Sequence, residues 1–102
     1  MTIIKCLSEK IEEELKDADA YIALAMKWKA KDKGAADLFY ELSREEMTHV
    51  DKLHGQVVAE IEEYKRTEGN PPEGMMELYN YLHEIHFAEA MSVKVKQGMY
   101  QE

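Results

Sequence analysis

The strongest constraint on this chain is that only two short segments interrupt an otherwise helix-forming sequence. The first is KAKDKGAAD, around Gly34, and the second is RTEGNPPEG, residues 66–74. Glycine and proline in such clusters end helices, and no alternating pattern indicates strands. The sequence therefore predicts an all-α fold with three helices, over residues 3–31, 35–65 and 72–100.

The two interruptions differ in what they permit. The first is so short that the first two helices must fold back as an antiparallel hairpin. The second contains Gly69, Asn70, Pro71 and Pro72, a longer and stiffer break. It leaves open whether the third helix packs on its own hairpin or reaches a neighbouring chain. We expect one domain, residues 1–102, of a size at which self-association often adds stability.

Charge and cysteine content limit the classes of partner. A net charge of -8 disfavours nucleic acid, which needs clustered Lys and Arg, and it suits cations. Cys6 is the single cysteine and cannot form an internal disulfide, as is usual in a reducing compartment. We find neither a secretion signal nor an apolar run of about 20 residues. The expected location is the cytoplasm, with no membrane partner.

Polar residues occur where the apolar faces of the first two helices should be. At about 100° per residue, Glu14 falls inside the apolar face of the first helix, whereas Glu12 and Asp19 fall on its flanks or far side. In the second helix Glu46 lies at the centre of the stripe and His49 at its edge. The first face comprises Ile4, Leu7, Ile11, Ala18, Tyr21, Ile22, Ala25 and Trp28; the second comprises Ala35, Phe39, Leu42, Val50, Leu53, Val57 and Tyr64.

These three polar residues should converge. Glu46 and His49 form a Glu-x-x-His motif, whose i, i+3 spacing puts both side chains on one face. A reversal near residues 30–33 brings Glu14 to within roughly one helical turn of them along the hairpin. Buried carboxylates without a partner cost several kcal/mol, at the order-of-magnitude level, and a metal cation would neutralise several at once. The sequence therefore predicts a metal site.

The ligand types narrow the metal. Carboxylate and imidazole without thiolate suit iron or manganese and tolerate zinc. One chain offers two glutamates and one histidine, too few for two metals. Two chains related by a two-fold axis double that set, which matches the ligands of di-iron carboxylate bundles. We therefore expect a homodimer or larger homo-oligomer that completes a four-helix bundle around the site.

The spacing of these residues resembles the ferritin-like superfamily, particularly rubrerythrins and encapsulated ferritins, over about residues 10–60. Glu14 is followed by Tyr21, and Glu46-Met47-Thr48-His49 comes about 32 residues after Glu14. The encapsulated ferritins are more similar, because they are short chains that dimerise to assemble an iron site. The resemblance implies a di-iron centre that oxidises Fe(II) with dioxygen or peroxide, for iron storage or detoxification.

Two features depart from the related families. Rubrerythrins often carry a cysteine-rich rubredoxin iron site, which a single cysteine excludes. The tail VKVKQGMYQE, residues 93–102, does not resemble an encapsulin-docking peptide, so association with an encapsulin shell stays open. Tyr21 either packs in the core or supports the metal ligands. Two alternatives remain for function: a metal-free helical oligomer acting as a scaffold or partner-binding module, and a di-iron peroxide reductase.

The sequence also gives expectations for the remaining histidines and for the methionines. His86 and Glu89 share a face of the third helix as His-x-x-Glu. They form an interface salt bridge, or a secondary metal site, or direct ligands if the third helix packs on its own hairpin. His54 and His83 flank their apolar stripes and are expected at the surface. The seven methionines are expected as core and interface filler.

Overall fold

The computed structural model describes residues 2–102, and within that range it contains three α-helices and no strand. Helix α1 spans Thr2–Trp28, α2 spans Lys33–Glu68 and α3 spans Glu73–Gln101. They run up, down and up in a bundle measuring 55 × 18 × 17 Å. The all-α prediction and the three-helix order are confirmed. No helix in this described range is long and apolar enough to cross a membrane.

The first break is a tight reversal fixed by one aspartate. The amides of Lys31 and Asp32 both donate to the carbonyl oxygen of Trp28, at 3.0 and 2.8 Å, which ends α1 there and not at residue 31. The Asp32 carboxylate then accepts from the Ala35 amide at 3.1 Å and caps α2. Because this cap precedes Gly34, α2 begins at Lys33, two residues before the predicted start.

The second break depends on a left-handed glycine. Gly69 has φ of 86°, a conformation that a residue with a Cβ rarely adopts, and α2 ends just before it at Glu68. The helix therefore continues three residues beyond the predicted end at residue 65. Pro72 occupies the cap position of α3, and its carbonyl oxygen accepts from the Met75 amide at 3.0 Å.

Helix α3 packs on its own hairpin, the first of the two alternatives that the sequence left open. It runs parallel to α1 and contacts α1 more extensively than α2. The Lys96 ammonium lies 2.7 Å from the Asp19 carboxylate. The Gln97 side-chain amide donates to the Ser43 hydroxyl at 2.9 Å, and that hydroxyl donates to the Ala18 carbonyl oxygen at 2.8 Å. This buried chain of hydrogen bonds joins all three helices.

The placement of α3 rotates the buried faces of the hairpin relative to the sequence prediction. In α2, Ala36 and Met47 are buried, whereas Phe39, Leu42 and Leu53 from the predicted stripe are only half-buried. In α1 the same shift buries Leu15, leaves Leu7 and Tyr21 half-buried and leaves Trp28 exposed. The cause is that α3 covers one flank of the hairpin and leaves the other open.

Gly69 and Gly55 give a matched test of the second break. Gly69→Ala should reduce the free energy of unfolding by about 1–3 kcal/mol, the cost of holding a residue with a Cβ in a backbone conformation that is essentially restricted to glycine. Gly55 lies inside α2 with nothing within 4 Å of an added Cβ. Gly55→Ala should therefore add up to about 1 kcal/mol through helix propensity. Urea unfolding measures both changes, and two effects of the same sign would contradict this description of the break.

Candidate metal centre

The three residues singled out from the sequence meet on the hairpin. Glu14 of α1 and Glu46 and His49 of α2 each offer one ligand atom, and these atoms all lie within 4.8 Å of one another. His49 Nδ1 is 3.3 Å from Glu14 Oε2 and 3.6 Å from Glu46 Oε2. It is the one group of three or more potential metal ligands found at this separation within residues 2–102. The predicted convergence is therefore present in a single chain.

The three side chains of the group are buried to different extents. The His49 side chain is 52% exposed, Glu14 is 26% exposed and Glu46 is 17% exposed. Glu46 Oε2 is buried and has no hydrogen-bond partner among the described residues. A buried charged oxygen without a partner is costly and rare. A cation held between the three side chains would supply the missing partner, so the donor set fits a metal of the carboxylate–imidazole class.

The group lies on the flank of the hairpin that α3 does not cover. Glu12 contacts α3, and Glu14 is about 200° further around the same helix. In α2, Tyr40 stacks on Tyr100 of α3 with ring centroids 4.9 Å apart, and Glu46 is about 120° around from Tyr40. We call this open side of the hairpin the ligand flank. Its half-buried apolar residues are Leu7, Tyr21, Phe39, Leu42 and Leu53.

Tyr21 lies on the ligand flank and packs against an aromatic neighbour. Its ring stacks on Phe39 across the hairpin, with ring centroids 6.5 Å apart and planes inclined by 20°. This contact fits the packing alternative for Tyr21. A supporting role toward the metal ligands stays a prediction.

His86 and Glu89 are not members of this group and belong to a second polar cluster, where α3 packs on the hairpin. His86 Nε2 lies 3.2 Å from Glu12 Oε2, in a contact between α3 and α1 of one chain. Burial lowers the pKa of His86, and the Glu12 charge offsets part of that effect. Burial and the neighbouring Glu12 raise the pKa of Glu89. The expectation that Glu12 is a solvated flank residue is wrong, because α3 packs over it and leaves it half-buried.

His54 and His83 complete the second cluster, and the expectation that they are surface residues is also wrong. Their rings lie 4.9 Å apart between α2 and α3, and both residues are half-buried. His54 Nε2 is buried without a hydrogen-bond partner in the described chain. Burial lowers the pKa of His54, and the nearby His83 lowers it further. Sequence periodicity gave no signal for this pair, because its contact depends on where α3 packs.

Comparisons with known proteins add no relative. No protein-family model, no curated protein and no solved structure matches the chain. The expected resemblance to ferritin-like proteins stays a prediction from Glu14, Tyr21 and the Glu46-Met47-Thr48-His49 motif.

The second cluster predicts acid sensitivity. The folded state holds His54 and His86 with pKa values below their ordinary 6.5, so the unfolded chain binds protons first as the pH falls. Their contribution to stability is complete above about pH 6.5 and is lost as the pH drops below it. The raised pKa of Glu89 opposes this loss at lower pH.

His54→Gln should reduce this loss of stability between about pH 8 and about pH 5, measured as the midpoint of urea unfolding. Comparison with the wild type at about pH 8, where the imidazoles are neutral, isolates the packing effect of the substitution. An unchanged pH dependence in the variant would remove His54 from this explanation.

Because Glu46 Oε2 has no hydrogen-bond partner among the described residues, the effect of Glu46→Gln on stability should reverse its sign when metal is added. In chelator, Glu46→Gln should leave the melting temperature equal or higher, because it removes a largely buried charge whose Oε2 has no hydrogen-bond partner among the described residues. With Fe(II) or Co(II) present, the wild type should become more stable than the variant. Its free energy of unfolding should rise by about 2.7 kcal/mol at a metal concentration of about 100 times Kd. Thermal unfolding measures both. Glu45→Gln, at an exposed neighbouring position, is the matched control. Equal metal responses in both variants would exclude Glu46 as a ligand.

Proposed function

We propose that this protein binds iron through Glu14, Glu46 and His49 and oxidises Fe(II) at a di-iron site formed between two chains. The observation that carries the proposal is the buried, unpartnered Glu46 Oε2 beside a second carboxylate and an imidazole. Three ligands from one chain cannot fill the coordination of two metals. A second chain related by a two-fold axis would bring the same three ligands.

The ligand flank supports this pairing. It carries the metal ligands together with half-buried apolar residues that α3 leaves uncovered, among them Leu42 and Leu53. Two hairpins that pack flank to flank would bury these residues and complete a ferritin-like four-helix bundle. Metal binding and pairing would then be linked, because the carboxylates from both chains gain their compensation together.

The two carboxylates and the imidazole have different parts in the proposed reaction. Glu46, the most buried of the three, would bridge or cap the metals, as would Glu14. His49 would hold one metal per chain at the mouth of the site, where its exposure gives access to solvent iron. Iron is the substrate and gives one electron per Fe(II) to dioxygen or to peroxide.

A metal-free role remains the competing proposal. The 3.3 Å contact between His49 and Glu14 would also suit an ion pair in a helical scaffold that carries no metal. Elemental analysis of the purified protein separates this scaffold from the iron-binding protein. Peroxide reduction would use the same ligands, so the oxidant preference decides between it and oxidation by dioxygen.

The activity test compares the two oxidants. Addition of Fe(II) to the protein should consume dioxygen well above the buffer rate, and Glu14→Ala should return the rate to that of buffer. Glu9→Ala, an exposed glutamate on the same helix, should behave as the wild type. Faster oxidation with peroxide than with dioxygen would favour the reductase. A rate equal to buffer with both oxidants would reject the enzymatic proposal.

The assembly test uses the same variants. Light scattering coupled to size-exclusion chromatography should detect a larger species after anaerobic addition of Fe(II) to the wild type and to Glu9→Ala. Glu14→Ala should not respond. Equal sizes with and without Fe(II) for the wild type would reject a site shared between chains.

A further inference from the structure

Helix α3 is apolar on an inner face and on an adjoining outer face. Its inner face packs on the hairpin and buries Val93 and Tyr100. Its outer face leaves large apolar side chains in solvent: Leu78 is 58% exposed, Tyr81 is 61% exposed and Val95 is 57% exposed. A helix with an apolar surface all round is normally buried on both sides. The single chain covers only one of them.

The outer face has a heptad pattern. Its residues alternate spacings of three and four, which keeps them on one face at 3.5 residues per turn. They are Leu78, Tyr81, Ile85, Ala88, Ser92 and Val95, and we call this set the outer seam. The pattern spans three heptads if Met99, which is 50% exposed, is included. An open groove of about 810 Å³ between α1 and α3 borders the seam and shares Leu78 and Ile85 with it.

We propose that the outer seam binds the outer seam of a second copy of this chain, as an antiparallel pair of α3 helices. The sizes of the seam residues support this pairing. In the antiparallel register that places Ile85 opposite the partner's Ala88, Tyr81 faces the partner's Ser92 and Met99 faces the partner's Gly74. Each of these three layers combines a large side chain with a small one, and the remaining layer places Leu78 opposite the partner's Val95, two apolar side chains.

Charge disfavours the parallel arrangement. In a parallel pair, the positions that flank the seam would bring Glu84 beside the partner's Glu89 on both sides of the dimer. The raised pKa of Glu89 already reflects burial and a neighbouring carboxylate, so a further negative charge would be unfavourable there. In the antiparallel register Glu84 lies beside the partner's Met91, and Glu89 lies beside the partner's Leu82.

The seam is separate from the proposed metal site. It lies on the solvent side of α3, and α3 covers the flank of the hairpin opposite the ligand flank. Association through the outer seam therefore requires no metal and goes beyond the proposed function. A chain with both surfaces associates in two ways, one dependent on metal and the other independent of it.

Sedimentation in chelator tests the seam. The wild type should be dimeric at micromolar concentration, and Val95→Glu should weaken the dimer at least about tenfold, because charges at the seam are unfavourable. Phe87→Glu is the matched control: Phe87 is 62% exposed but lies outside the seam, so its variant should stay dimeric. Both residues are exposed, and circular dichroism checks that both variants fold. A monomeric wild type, or equal weakening by both substitutions, would overturn the proposal.

Spin-label distances test the direction of pairing. Cys6→Ser removes the native thiol, and Glu73→Cys then places one label at the exposed start of α3. The antiparallel register separates the two labels by about 40 Å along the helices, whereas a parallel pair would hold them within about 20 Å. The shorter distance would overturn the antiparallel seam. In Val95→Glu, metal binding at Glu46 should persist, which distinguishes failure of the seam from failure of the metal site.

Discussion

The hairpin reversal at Asp32 sets the register on which the other features depend. Two amides donate to the Trp28 carbonyl oxygen, and the Asp32 carboxylate caps α2. Hydrogen bonds therefore hold the connection at both the end of α1 and the start of α2. This register brings Glu14 to His49 at 3.3 Å. It also places the Ser43 hydroxyl where it donates to the backbone of α1 and accepts a hydrogen bond from Gln97 of α3. A reversal one residue longer would shift both sets of contacts together.

The two flanks of the hairpin differ in the partners that they give to buried carboxylates. On the flank under α3, Glu12 meets His86 at 3.2 Å, so a carboxylate has an imidazole from the same chain as its partner. On the ligand flank, Glu46 Oε2 is buried with no hydrogen-bond partner in the described structure. The described chain thus brings an imidazole to 3.2 Å from Glu12, whereas the nearest imidazole lies 3.6 Å from Glu46 Oε2, beyond hydrogen-bond distance; under the proposed function, a cation between Glu14, Glu46 and His49 would be the partner of that oxygen.

Sequence reasoning succeeded where contacts are set by local geometry. Helix periodicity and one short turn were enough to predict the hairpin and the convergence of Glu14 with Glu46 and His49. It failed for Glu12 and His54, because their burial depends on α3, and a break of four residues does not fix where a helix packs. For the same reason, the predicted apolar stripes are broader than the faces that the structure buries. Periodicity identifies apolar residues, but it does not tell which neighbour covers them.

The width of those stripes is itself informative about the assembly. A helix covered on one side needs only a narrow apolar stripe. Here α1 and α2 carry apolar residues beyond the surface that α3 covers, and α3 carries a second apolar face away from the hairpin. A bundle only 18 × 17 Å in cross-section has little interior in which to bury them. Association with further copies would bury the excess, so the breadth of the apolar pattern supports the proposed pairing of chains.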